Sequence, residues 1–142
     1  MKIRVLVVDD EKEFVEALSQ RLKLRNFEVL TAFDGDEAIS CVKDKDLDVV
    51  VLDVRMPGRD GIGILSEIKQ TKPLVEVIML TGHATVPAAI EGMKLGAFDF
   101  LLKPTETDDL VTKIQNAYNR KAEHEERIRK AEINGIMKRR GW

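Results

Sequence analysis

Residues 49–61 read VVVLDVRMPGRDG. Val49, Val50, Val51 and Leu52 form a continuous apolar run of β-branched and aliphatic residues, the pattern of a strand buried on both faces. The run stops at an ionisable residue, Asp53, and Pro57-Gly58 and Asp60-Gly61 then mark a loop. A carboxylate is therefore expected at the carboxyl end of a buried strand. In an open parallel α/β sheet, ligands bind at that edge.

Upstream, Ile3 to Val8 predicts a buried strand, followed at once by Asp9, Asp10 and Glu11. Phe14, Val15, Leu18, Leu22 and Leu24 recur at helical spacing and predict a helix from about Glu11 to Arg25, broken by Asn26. Phe27 to Thr31 is a short second strand. Asp34 is placed as the N-cap of a helix over Gly35 to Lys43, with Glu37 as its capping-box partner. Downstream, Ile62, Leu65 and Ile68 mark a third helix ending near Thr71–Pro73, and Val75 to Leu80 a fourth buried strand closed by Thr81-Gly82. A fourth helix spans Thr85 to Lys94, with Pro87 in its first turn, and stops at Gly96. Ala97 to Leu102 is a fifth strand, closed by Lys103-Pro104, and a long helix starts near Glu106. This strict (βα)5 alternation predicts an α/β fold: a doubly wound five-stranded parallel sheet in the order 2-1-3-4-5, with an extended C-terminal helix.

A length of 142 residues, 44% hydrophobic and 34% charged, suits one soluble globular domain. The net charge of −2 argues against general nucleic-acid binding, although the chain from Thr105 onward carries nine Lys/Arg against seven Asp/Glu. One cysteine, Cys41, excludes an internal disulfide and fits a reducing compartment; it reads as a small buried hydrophobe. The short apolar run Val5–Val8 ends in acids rather than a cleavage site, and no run is long enough for a bilayer. These features predict a cytoplasmic protein without membrane contact.

The residues that close the strands form a set. Asp9-Asp10, Asp53, Thr81 and Lys103 end strands 1, 3, 4 and 5, which are neighbours in the predicted order. Three crowded carboxylates repel one another, and a divalent cation resolves this. Hard oxygen donors suit Mg²⁺, with Asp10 and Asp53 as direct ligands, Asp9 acting through water and the Arg55 carbonyl supplying a further oxygen. Asp53 keeps a second oxygen as a nucleophile, Lys103 offers positive charge for phosphoryl oxygens, and Thr81 offers a hydroxyl.

These residues lie in VVDDE (7–11), LDVRMPGRDG (52–61), MLTGH (79–83) and GAFDFLLKP (96–104). Through these four motifs the chain resembles the bacterial two-component response-regulator receiver domain over Met1 to about Arg120, and GAFDF and RMPGRDG look most like receivers of sigma-54 activators. The resemblance implies that Asp53 accepts a phosphoryl group from a sensor histidine kinase and that Asp9 and Asp10 form the acid pocket. Thr81 and Lys103 would be switch and phosphate-contact residues, and the Lys103–Pro104 bond would be cis. Phe100 would be the aromatic that moves inward with Thr81; the alternative is a plain core phenylalanine, since Phe98, Phe100 and Leu102 share one strand face in the simplest reading. Arg55 and His83 either tune attack of water on the phosphoaspartate or are solvated side chains. The face made by the fourth helix, fifth strand and last helix would change its partner preference. The protein would act once per cycle on its own carboxylate, so it is a switch rather than a turnover enzyme.

Residues 121–142 read as a helical extension, a linker or a dimerisation element. Glu123–Arg127, Glu125–Arg129 and Glu126–Lys130 are spaced for ion pairs. Ile114, Ala117, Lys121, His124, Ile128 and Ala131 trace an imperfect heptad seam. Asn134-Gly135 is expected to end or interrupt the helix, and Ile136, Met137 and Trp142 beside Lys138-Arg139-Arg140 form an apolar, basic end. Ile128, Ile133, Ile136 and Met137 call for a partner, and a homodimer is expected. No output domain follows in the sequence, so the chain reads as a stand-alone regulator or as a receiver cut from a longer one; in the sigma-54-activator branch such a helix leads to an ATPase domain. Three rivals remain. A flavin module needs a Ser/Thr/Gly-rich loop where this chain has Asp-Asp-Glu. An aspartate-nucleophile phosphatase, by family analogy, carries D-x-D after its first strand. A phosphorylation-independent interaction module needs no complete pocket.

Overall fold

The structure is a computed structural model that describes residues 2–56, 58–82 and 86–139, with side chains to residue 136. Its elements alternate as β1 (Arg4–Val8), α1 (Lys12–Leu24), β2 (Glu28–Ala32), α2 (Gly35–Asp44), β3 (Val49–Leu52), α3 (Gly61–Thr71), β4 (Glu76–Thr81), α4 (Val86–Lys94), β5 (Asp99–Leu102) and α5 (Thr107–Arg139). The sheet is parallel throughout, in the order β2-β1-β3-β4-β5, as the sequence predicts.

A run such as Val49–Leu52 shows no polar alternation because both faces of the sheet are covered. Its side chains nevertheless alternate between two cores. Val49 and Val51, with Val5, Val7, Ile78 and Leu80, pack under α1 and α5 through Val15, Leu18, Leu22, Leu110, Ile114 and Ala117. Val50 and Leu52, with Leu6, Val8, Val77 and Met79, pack under α2 and α3 through Ala38, Ile39, Val42, Ile64, Leu65 and Ile68. The second core also receives α4, which approaches so closely that a Cβ on Gly92 would lie 2.1 Å from the Met79 side chain. Cys41 is half-buried against this core, and burial pushes its thiol pKa up.

Local signals set the boundaries. Asp34 Oδ1 accepts from Glu37 N at 2.8 Å, capping α2 as expected. Glu37 returns its carboxylate to Phe33 N, one residue before the cap. Asn26 adopts a left-handed φ of 70°, ending α1 in a conformation that asparagine tolerates.

Three expectations need correction. Phe98 and Phe100 do not share a face: Phe98 precedes β5 and packs on the α1/α5 side, whereas Phe100 packs on the α2/α3/α4 side. The period-two rule holds only inside a strand. Second, α5 runs through Asn134-Gly135 to Arg139. Helix formers on both sides outweigh a glycine's cost of about 1 kcal/mol. Third, Ile114, Ala117 and Lys121 are buried against the body of the domain, so this half of the expected seam is used within the chain. The expected pairs Glu123–Arg127, Glu125–Arg129 and Glu126–Lys130 give way to Lys121–Glu125 at 3.2 Å and Glu126–Arg129 at 3.3 Å among the described residues.

The foot of α5 is fixed by charge at the amino edge of the sheet. Glu76 is buried at the start of β4 between Arg120 and Lys69, and Lys121 pairs with Asp48 at 3.1 Å. Arg120 also stacks over the Phe98 ring at 4.7 Å.

Candidate functional site

The opposite, carboxyl edge of the sheet collects the expected residues. Asp9 follows β1, Asp53 follows β3, Thr81 ends β4 and Lys103 follows β5. Asp9, Asp53 and Thr81 are buried, while Asp10 is exposed. Carboxylate oxygens of Asp9, Asp10 and Asp53 all lie within 4.8 Å of one another. Lys103 Nζ donates to Asp9 Oδ2 and lies 3.6 Å from Glu11 and 3.8 Å from Asp53. The Lys103–Pro104 bond is cis.

Backbone geometry holds the carboxylates. Asp9 Oδ1 accepts from Glu11 N at 3.1 Å, and Asp53 Oδ1 accepts from Arg55 N at 3.2 Å. The loop after Asp53 folds back on itself: Gly61 N donates to Val54 O at 3.0 Å, and Arg55 bridges to Asp60. Only glycine permits this closure, because a Cβ on Gly61 would sit 2.4 Å from the Val54 carbonyl oxygen. Arg59 then ties the loop to α2 and α3 through Asp36 at 2.8 Å and Glu67 at 2.5 Å.

Electrostatics follow from the crowding. Burial, and then the Asp9 charge, raises the Asp53 pKa against the opposing pull of Arg55 N–H, Lys103 and the Thr81 hydroxyl. Local desolvation at the cluster, and then the hydrogen bond with Asp9, raise the Asp10 pKa as well. Burial disfavours the Lys103 ammonium, but hydrogen bonding to Asp9 and the charges of Asp53, Asp9 and Glu11 outweigh it and raise its pKa. A site where carboxylates cannot all ionise comfortably, and where every donor is a hard oxygen, fits a divalent cation such as Mg²⁺. An open cleft of about 380 Å³ over these groups is lined by Asp10, Glu11, Asp53, Arg55, Met56, Gly82 and Lys103.

All seven predicted site residues except Phe100 therefore meet at this edge. Phe100 is half-buried beside Met79's side of the sheet, along β5 from Lys103. His83, and the side chains of Met137 to Trp142, lie outside the described residues. Two contacts escaped the sequence reading. Glu11 lines the cleft, a position its adjacency to Asp10 could have suggested. Phe14, read as a helix core residue, presents its ring to Lys103 Nζ at 4.1 Å.

Sheet order and carboxyl-edge chemistry together describe a phosphoryl-handling signalling module of the α/β class. The chain belongs to the response regulator receiver domain family, whose match spans residues 5–115. It is 35% identical over 131 residues to the DNA-binding transcriptional regulator NtrC of Salmonella typhimurium, covering 92% of this chain and 28% of that protein. The Regulatory protein AtoC of Escherichia coli is 39% identical over 114 residues, covering 80% of this chain and 25% of that protein. The chain thus spans about a quarter of the length of these relatives. A response regulator receiver domain from Clostridium thermocellum superposes with a TM-score of 0.80 at 40% identity, covering 84% of this chain and 97% of that one. Receivers of two-component response regulators are phosphorylated on aspartate by histidine kinases and bind Mg²⁺ at an acidic aspartate cluster; in this chain Asp9, Asp10 and Asp53 form an acidic group that could hold a metal ion. Among the described residues, no helix is long and apolar enough to cross a membrane.

Proposed function

We propose that Asp53 is the phosphoacceptor of this receiver and that the residues around it catalyse only its own phosphorylation and dephosphorylation. One observation carries the reading: a buried carboxylate faces an open cleft, with a second acid pair beside it and a lysine 3.8 Å away. An Asp53 oxygen attacks phosphorus, a P–O bond forms, and the P–N bond to the kinase histidine breaks with return of its electron pair to the imidazole. Asp10, Asp53 and the Arg55 carbonyl would hold Mg²⁺, with Asp9 acting through water. When bound, the cation neutralises the crowded carboxylates and the charge on the transferring group. Lys103 leaves Asp9 in part to contact a phosphoryl oxygen, and the Thr81 hydroxyl donates to another.

Movement of Thr81 is passed to Phe100 and thence to the face of α4, β5 and α5. Val86, Ile90, Met93 and Leu102 leave that face apolar and exposed, which supports its use by a partner. Residues 1–120 form the receiver and residues 121–142 the extension that carries the signal to an output domain or a second copy. Exposed Ile128, Ile133 and Ile136 support a homodimer through this extension. The lone Cys41 accords with a reducing, cytoplasmic setting.

The test is intact mass after incubation with acetyl phosphate. Wild type with Mg²⁺ gains about 80 Da, whereas Asp53→Asn, or wild type without Mg²⁺, gains nothing. An adduct that persists in Asp53→Asn would move the acceptor elsewhere. Multiple turnover of a phosphorylated substrate would replace the switch by a phosphatase.

A further inference from the structure

The Lys103 ammonium has two kinds of neighbour. Carboxylates surround it: Asp9 in a hydrogen bond, Glu11 at 3.6 Å and Asp53 at 3.8 Å. The ring of Phe14 is also in contact, with its centroid 4.1 Å from Nζ. The Lys103 side chain is 15% exposed, so this cation–π contact is largely desolvated and stronger than one in open water. Phe14 stands near the start of α1, the helix that begins right after Asp10 and Glu11, and Glu11 N is bonded to Asp9. The ring is seated on its inner side in the core under α1 and α5 and borders a groove with Leu18, Leu80, Pro104 and Leu110. Its position is therefore fixed by the same turn that places the acid pair.

We infer that Phe14 is a positioning residue for Lys103, holding the ammonium over the cleft while it transfers from Asp9 to the incoming phosphoryl group. A lysine head is a compact charge on a flexible stem, and ordering it costs rotamer freedom. If carboxylates alone held it, every attraction would compete with the phosphoryl oxygens. An aromatic face attracts the cation without offering a rival anion, so it confines the stem and leaves the head free to change partners. This inference rests on the assignment of Lys103 to the phosphoryl group.

The experiment compares aspartyl-phosphate formation from acetyl phosphate with Mg²⁺ in wild type, Phe14→Leu, Phe14→Tyr, Lys103→Ala and the double variant Phe14→Leu/Lys103→Ala. A second readout, on the same proteins without metal, is the ring-current shift of the Lys103 ε-methylene in lysine-labelled NMR spectra. Phe14→Leu is expected to slow phosphorylation about fivefold, Phe14→Tyr to stay within about twofold of wild type, and the double variant to be no slower than Lys103→Ala. The upfield methylene shift is expected in wild type and Phe14→Tyr and lost in Phe14→Leu. Equal rates for Phe14→Leu and wild type, with Lys103→Ala slow, overturn the role of Phe14. So does an equal loss in Phe14→Tyr and Phe14→Leu, or a wild-type methylene without a ring-current shift. A fast Lys103→Ala instead overturns the assignment of Lys103 itself, whatever Phe14 does.

Discussion

Lys103 Nζ stands 3.8 Å from Asp53 Oδ2, inside ion-pair range but beyond a hydrogen bond, because its hydrogen bond goes to Asp9. The lysine thus leaves room at Asp53 for an incoming group. It also leaves Asp53 buried with incomplete compensation, and its raised pKa records that imbalance.

Asp53→Asn should therefore stabilise the metal-free protein. A carboxyl whose pKa is raised in the folded state favours folding only while protonated, below its unfolded pKa. That contribution is lost as pH rises through the folded value. The Tm difference in favour of Asp53→Asn should be absent near pH 3 and grow with pH to on the order of 3 °C at neutrality. A constant difference across this range would exclude Asp53 as the titrating group.

Mg²⁺ should act on the same imbalance. Each tenfold excess over Kd adds about 1.4 kcal/mol, roughly 4 °C for a chain of this size. Thermal scans of wild type should show this rise. Asp10→Asn, which takes a negative charge out of the cluster, should flatten it.

Gly61 and Gly92 are both crowded, yet they should respond differently to alanine. At Gly61 the new Cβ meets the Val54 backbone, 2.4 Å away, so the loop must open, at a cost of about 2 kcal/mol and with slower phosphorylation. At Gly92 it meets the tip of Met79, a flexible side chain, and alanine's helix propensity returns up to about 1 kcal/mol. Urea titrations of both variants should therefore rank Gly61→Ala well below Gly92→Ala.

Glu76 holds two cations at the foot of α5, far from the phosphorylation cleft. Glu76→Gln leaves Lys69 and Arg120 without their shared charge and should cost about 3 kcal/mol in urea denaturation. Arg120→Ala should cost less, since Arg120 is 40% exposed and Lys69 still pairs with the buried carboxylate. Equal losses would mean that stacking of Arg120 on Phe98, rather than charge, fixes the helix.

Ile128 and Ile136 are 47% and 44% exposed on the extension. Replacing both by glutamate should convert a dimer to a monomer in light scattering and leave the acetyl phosphate adduct intact. A wild type that is monomeric, phosphorylated or not, would remove self-association through this helix.

The alternation of elements, the strand order and the polar character of the carboxyl edge were legible in the order of residues alone. Buried parallel strands must be apolar throughout, so the first polar residues after each run announce the edge. Asp9, Asp10, Asp53, Thr81 and Lys103 were legible for that reason. Which faces met was settled by packing in three dimensions. Phe98 and Phe100 parted because one precedes its strand. Lys121 and Glu76 were drawn inside because their charges found partners at Asp48, Arg120 and Lys69, positions that no periodicity connects. Phe14 came to lie over Lys103 through the packing of α1 beside the end of β5. Local pattern records what a residue avoids; its partner, distant in the chain, is chosen by packing.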